Sequence, residues 1–434
     1  PPPAPPPPPP PRPPPPNPRT PRTMNDPGHN APCRTPRRIG KKAPGSLADQ
    51  HPQHLGAVVH EALRDRNNLN TADVGDIIFG TSSQRGRQSG DLARMSAWEA
   101  GYDITSSGMT LDRFCGSGIT SVNLAAMNIM SGSEDLVIGG GAEMMSTYGE
   151  EGATPSMFMD NGNLKLRAMH PQPHQGVCAD AIATIEGISR GDLDKQAFET
   201  QQKAARAIAE GRFDKSLIPV HDTEGNLVLD KEEFPRPQTT LEALSELQAS
   251  FAPIADYPLD ETGITYRQLL KQKYPDVEIE HMHHAGNSSG VVDGAGAILL
   301  SSPDYAKAQG WKPRARIVAM ANQGDCPTLM LNAPVPAARK VLAKAGLDVN
   351  DIDVWEINEA FAVVSEKFMR DLGMDRDKVN INGGAMALGH PIGATGSLLI
   401  NTALDELERQ GKQFGLVTMC AAGGMAPAVI IERV

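Results

Sequence analysis

The chain has 434 residues, too many for one ordinary domain and suited to two or three. Apolar residues make up 39%, enough for sizeable cores, while a net charge of -11 and only 4% aromatics argue against a nucleic-acid surface. Five cysteines, odd in number, widely spread and without a CxxC pair, argue against a disulfide framework or a zinc site, and no stretch approaches 18 consecutive apolar residues, so no membrane span is expected.

In chain order, Pro1 to Pro16 is nearly all proline, broken only by Ala4 and Arg12. Such a run is extended and packs no core. Residues 1–23 therefore read as a disordered leader or a misplaced gene start rather than a docking ligand for a proline-binding domain. From about Gly45 helices and strands alternate. Leu55 to Arg66 has helical spacing, Asp76 to Gly80 reads as a buried strand and Met109 to Phe114 as a second. A helix is expected from about Gly116 to Met130, then a strand over Glu134 to Gly141.

The C-terminal part repeats this plan. Leu347 to Ile352 echoes Leu69 to Val74, and each precedes a strand, VWEI and DIIF respectively. Gly393 opens a helix like the one after Cys115, and Phe414 to Met419 echoes the strand near Leu136. Two related α/β halves are expected. Residues 24–146 and 282–305 form the N-terminal half and residues 306–434 the C-terminal half. Residues 147–281, with one clear helix from Asp194 to Glu210 and many prolines, read as an inserted lid or substrate-binding region.

Five constellations carry chemistry. Arg113-Phe114-Cys115-Gly116-Ser117-Gly118 places a cysteine where a strand turns into a helix. Orphan N–H groups and the helix dipole there favour a thiolate, so the thiol pKa is expected to fall. Asn382 to Gly396 sets His390 among glycines and leads into a helix, and a histidine can take the proton of a thiol. Cys420-Ala421-Ala422-Gly423-Gly424 puts a second thiol at a strand end. Trp355 to Ala362 and His284 to Ala295 are polar clusters beside apolar segments. Two histidine groups distract. Adjacent histidines in His281-Met282-His283-His284 would point to opposite faces of a strand, and Pro171 and Pro173 keep His170 and His174 off a shared helix, so neither group reads as a metal site.

These five motifs, in this order, resemble the thiolase family from about Arg34 to Val434. Within it the chain is similar to acetyl-CoA acetyltransferases and 3-ketoacyl-CoA thiolases. The resemblance implies a layered αβαβα fold, with two α/β halves and an inserted loop domain. It also implies that Cys115 becomes acylated, that His390 deprotonates it and that Cys420 serves as the second acid/base. His390 with a water held by Asn358 would form one oxyanion hole, and the N–H groups of Cys115 and Ala422 the other. The family usually has glycine at position 422, and alanine keeps the N–H. Ser289 would bond the pantetheine arm of coenzyme A, with His174 and Phe361 lining the substrate pocket. The chain departs from the family at Gln175, usually methionine, and at Gly28 to Cys33, a poor strand where a buried apolar one is usual.

By the same resemblance the substrates are coenzyme A thioesters, no further cofactor or metal is needed, and the partners are small molecules and further copies of the chain in a homodimer or homotetramer. A cytoplasmic location is expected, with mitochondrion or peroxisome open for a eukaryotic source. The competing readings are a decarboxylating condensing enzyme and a non-catalytic acyl-CoA-binding relative. Cys420 argues against the first, and the presence of both cysteines and His390 against the second.

Overall fold

The structure, a computed structural model, describes residues 23–24, 32–40, 47–150, 159–258 and 260–434. The proline run and Gly28 to Ala31 lie outside the described residues.

The first half begins with β1 (Cys33–Arg34), only two residues long where Pro32 precedes it. Then come α1 (Pro52–Asn67), β2 (Asp76–Gly80), α2 (Leu92–Glu99), β3 (Met109–Leu111), α3 (Ser117–Ser131) and β4 (Leu136–Met144). Helix α1 starts at a proline in its first position and stops at Asn68, whose φ of 45° is left-handed. An excursion follows before the chain returns as β5 (Val292–Ser301). It carries α4 (Gln175–Glu186) and α5 (Arg190–Ala209) besides shorter helices and a two-stranded antiparallel pair. The sequence reading finds α5 but misses α4. Its signals are local: His174 accepts the Gly176 N–H as N-cap, and Gly187 closes the helix at φ 62°.

The second half contains β6 (Ala315–Gly324), α6 (Pro334–Ala345), β7 (Val354–Ile357), α7 (Ala362–Leu372), α8 (Thr395–Gln410), β8 (Phe414–Thr418) and β9 (Met425–Arg433). The two sheets share one pattern. In the first, β2 runs parallel to β4 and β4 antiparallel to β5; in the second, β7 runs parallel to β8 and β8 antiparallel to β9. Next to β5 lies β1, and next to β9 lies β6. The 3₁₀ turns Thr71–Asp73 and Val349–Asp351 occupy matching places, as the sequence echo predicts.

Helices α3 and α8 pack on each other between the two sheets; α1 and α2 cover the outer face of one sheet, and α6 and α7 flank the other. The layers are therefore α, β, α, β, α. Both faces of β2, β4, β5, β7, β8 and β9 are buried along most of their length, which explains their largely apolar runs. Ile77, Leu136 and Ile138 face the outer helices of the first half, while Ile78 and Val137 face α3. Leu416 and Ile430 face α6, while Val417 and Val429 face the middle layer. The middle layer is thin because glycine lets the two helices touch: a Cβ on Gly396 would fall 2.0 Å from the Ile119 nitrogen. No helix among the described residues is long and apolar enough to cross a membrane.

Candidate active site

Cys115 sits in the turn that joins β3 to α3. Phe114 takes φ 51°, a left-handed conformation that costs a non-glycine residue on the order of 1 kcal/mol or more. The Phe114 N–H is held by Asp112 Oδ1 at 2.6 Å, and Ser117 Oγ accepts the Arg113 N–H at 2.7 Å while donating to the Phe114 carbonyl. These bonds pin the turn. Gly116 then lies against the Cys420 loop, for a Cβ there would be 3.4 Å from Ala421 Cβ and 2.8 Å from Pro427 Cδ.

The Cys115 thiol is buried, and burial pushes it up to about 12. Its own N–H opposes that rise; the carboxylates of Glu143 and Asp112 add to it. Desolvation and two carboxylates thus act against the lowering expected from the helix N-terminus. Cys420 is raised for the same first reason, and the charge of a Cys115 thiolate raises it further. The two sulfurs therefore share one electrostatic environment although 305 positions separate them.

His390 follows Gly389 and is buried. Burial lowers its pKa to about 3, and the Arg37 guanidinium acts in the same direction. Its Nδ1 is 2.6 Å from Thr395 Oγ1, and its Nε2 is 3.4 Å from Asn358 Nδ2. The main chain of Asn358 donates to the Thr418 carbonyl at 3.3 Å, two residues before Cys420. The loop after His390 meets the first turn of α3, since a Cβ on Gly118 would lie 3.0 Å from the Gly393 carbonyl oxygen. Three loops from both halves, carrying Cys115, His390 and Cys420, thus abut one another.

The other expected site residues form a neighbouring cluster. Phe361 is buried at the N-cap of α7 and meets the Phe251 ring edge-on at 5.7 Å. Phe251 lies 5.6 Å from the His174 ring, and His174 the same distance from Tyr266. Burial lowers the His174 pKa. Ser289 is half-buried, and its N–H donates to the Ala360 carbonyl at 3.0 Å. Ala422 is half-buried and packs against the same apolar cluster as Phe361 and Cys420.

The histidine run is not a strand. His281 and His283 both approach Asp180 through Nδ1 at 2.7 Å, and His284 Nε2 is 2.8 Å from Asp194. His281 and His283, two positions apart, thus turn to one carboxylate, while His284, adjacent to His283, turns to another. Among the described residues no group of three or more His, Cys, Asp or Glu is arranged to hold a metal.

Sequence reasoning missed Glu143. This buried carboxylate, at the end of β4, accepts from Thr81 Oγ1, Ser82 N and Oγ, Gln88 Nε2, Tyr148 Oη and Gly393 N. The available signal was a lone acid at the end of a nine-residue buried strand.

Residues 33–254 match the family described as the thiolase N-terminal domain, and residues 311–433 the thiolase C-terminal domain. The chain is 37% identical over 420 residues to a beta-ketoadipyl-CoA thiolase of Acinetobacter baylyi, an alignment that covers 92% of this chain and 98% of the relative. A 3-ketoacyl-CoA thiolase of Bacillus subtilis is 35% identical over 412 residues, 92% and 97% of the two chains. A 3-oxoadipyl-CoA/3-oxo-5,6-dehydrosuberyl-CoA thiolase of Escherichia coli is 37% identical over 420 residues, 92% and 98%. The chain belongs to the thiolase family of acyltransferases.

Proposed function

We propose that this enzyme cleaves 3-ketoacyl-CoA thioesters with free coenzyme A, and runs the reverse condensation, through an acyl group on Cys115. In cleavage, His390 Nε2 takes the thiol proton as Cys115 Sγ attacks the 3-keto carbonyl carbon. The bond between C2 and C3 then breaks. Its electron pair forms the enolate of acetyl-CoA, Cys420 supplies the proton at C2, and the acyl group stays on Cys115. Coenzyme A next loses its thiol proton to the Cys420 thiolate and attacks the acyl carbonyl, which frees Cys115; the proton on His390 returns to its sulfur. Asn358 with His390, and the N–H groups of Cys115 and Ala422, stand beside the oxygens that become anionic.

The observation that carries this reading is the shared environment of the two thiols, Cys115 raising Cys420, with a neutral imidazole in the abutting loop. Two neutral thiols and a neutral base let protons move without a charged resting state in a buried site. Coenzyme A thioesters are the substrates, and the scheme calls on no further cofactor. Ser289 would receive the pantetheine arm, and His174 and Phe361 the acyl end.

Thiolysis of acetoacetyl-CoA by free coenzyme A, followed by loss of the enolate absorbance, tests the reading. Turnover that depends on Cys115, His390 and Cys420 supports it. Decarboxylation of a malonyl thioester without thiolysis favours the condensing-enzyme alternative, and binding without turnover favours the non-catalytic one.

A self-associated state fits the open edge of the first sheet. There β3 is the terminal strand, Met109 is 42% exposed and nearby Ile104 is 78% exposed. Light scattering should give at least twice the 46.3 kDa chain mass, and a value of one chain mass rejects it. Five free thiols suit a reducing interior such as the cytoplasm.

A further inference from the structure

We infer that Thr395 is a positioning residue that fixes the tautomer of His390, holding the proton on Nδ1 and leaving Nε2 as the base. The inference rests on the reading of His390 as the group that deprotonates Cys115.

The argument is an accounting of hydrogens. Thr395 Oγ1 is 2.6 Å from His390 Nδ1 and 2.9 Å from the Pro391 carbonyl oxygen. The hydroxyl has one hydrogen, and the carbonyl can only accept. If the hydroxyl donates to Pro391, then Nδ1–H donates to Thr395, and Nε2 offers its lone pair to Asn358 Nδ2 at 3.4 Å. Every short contact then joins a donor to an acceptor. If instead the hydroxyl donates to Nδ1, the ring proton moves to Nε2 and faces the Asn358 amide hydrogens. Thr395 Oγ1 and the Pro391 oxygen would also stand 2.9 Å apart with no hydrogen between them. Turning the Asn358 amide over removes the first conflict and leaves the second. Burial holds the ring neutral, so one tautomer has to be chosen.

The fold makes this choice local and rigid. Thr395 opens α8, its N–H donates to Pro391 at 3.0 Å, and its hydroxyl donates to the same carbonyl at 2.9 Å, so backbone and side chain are both held at the first turn of the helix. Thr395 is buried, which leaves bulk water no access to replace it. Threonine differs from valine by this one oxygen, and serine keeps the oxygen while losing a methyl group.

Nitrogen NMR of the histidine ring reads the tautomer directly in the unaltered enzyme. The expected spectrum has a protonated, pyrrole-type Nδ1 and an unprotonated, pyridine-type Nε2 on His390. The opposite assignment overturns the inference without reference to activity. In the T395V variant the Nδ1 preference should weaken, and acylation of Cys115 by acetyl-CoA should slow at least ~10-fold, within the roughly 10²–10⁴-fold that a positioned general base contributes. KM for acetyl-CoA should stay within about twofold, because the hydroxyl supports the base and not the substrate. T395S should recover both the spectrum and most of the rate. A changed tautomer in T395V with unchanged acylation would leave the tautomer assignment standing and sink His390 as the base. An unchanged tautomer with slowed acylation would sink the role of Thr395.

Discussion

Glu143, at the end of β4, accepts the backbone N–H of Gly393 at 2.8 Å, and Gly393 lies three residues beyond His390. The bond crosses from one half of the molecule to the other. The same carboxylate holds Ser82 N and Oγ, Thr81, Gln88 and Tyr148, and its charge helps raise Cys115. One buried acid thus fastens the His390 loop to the sheet that presents Cys115.

Glu143→Ala would strip six donors of their acceptor inside the protein. Each orphaned buried donor costs about 1–3 kcal/mol, although relaxation recovers part of that. Stability should fall by roughly 3–5 kcal/mol, measured as a drop in the urea midpoint at unchanged slope. A loss under about 1 kcal/mol would show that the six contacts contribute little.

Cys115→Ala should abolish the acyl-enzyme. In the unaltered protein incubated with acetyl-CoA, mass spectrometry should find the acetyl group on Cys115. An adduct on Cys33, Cys178, Cys326 or Cys420 in its place would refute the assignment.

Cys420→Ala should separate the half-reactions. Cys115 should still accept an acetyl group, because His390 and Asn358 remain in place. Condensation and thiolysis should fall about 10²-fold or more, since proton transfer at the α-carbon loses its positioned group. Equal loss of both halves would contradict the division of labour.

Alkylation of Cys115 should report the raised thiol. With the group at about 12, the logarithm of the iodoacetamide rate should climb with pH and reach no plateau up to pH 10. A plateau near pH 7 would mean that the thiolate is stabilised after all.

Stability should also fall on the acid side. His60 and His390 are both held near 3, from an ordinary 6.5, chiefly by burial. Below about 6.5 the unfolded chain binds protons at both rings and the folded one does not. Their contribution is therefore complete above pH 6.5 and is lost as pH falls toward 3, at about 1.4 kcal/mol per pH unit for each ring. The His60 ring lies 4.5 Å from that of Phe79, and neither of its nitrogens has a hydrogen-bond partner among the described residues. His60→Leu should remove about half of that pH slope, read from urea midpoints between pH 4 and 6. An unchanged slope would clear His60 of any part in it.

The sequence by itself settled what is written locally. Apolar runs at strand length, glycines and prolines at element ends, and the repeated strand-leading hexapeptides revealed two α/β halves. Short motifs marked Cys115, His390 and Cys420 as candidates, and the family resemblance added Asn358. Such signals depend on near neighbours in the chain, so they survive without coordinates. Tertiary structure decided everything that depends on water and distant charge. It raised the Cys115 thiol against the pull of the helix N-terminus, because burial and the carboxylates of Glu143 and Asp112 come from packing. It gathered six donors on Glu143, including one 250 positions away. It turned His281 and His283 onto Asp180, about a hundred positions earlier, which no spacing along the chain could foretell. Desolvation and hydrogen-bond closure are properties of a packed interior, and a one-dimensional pattern does not contain them.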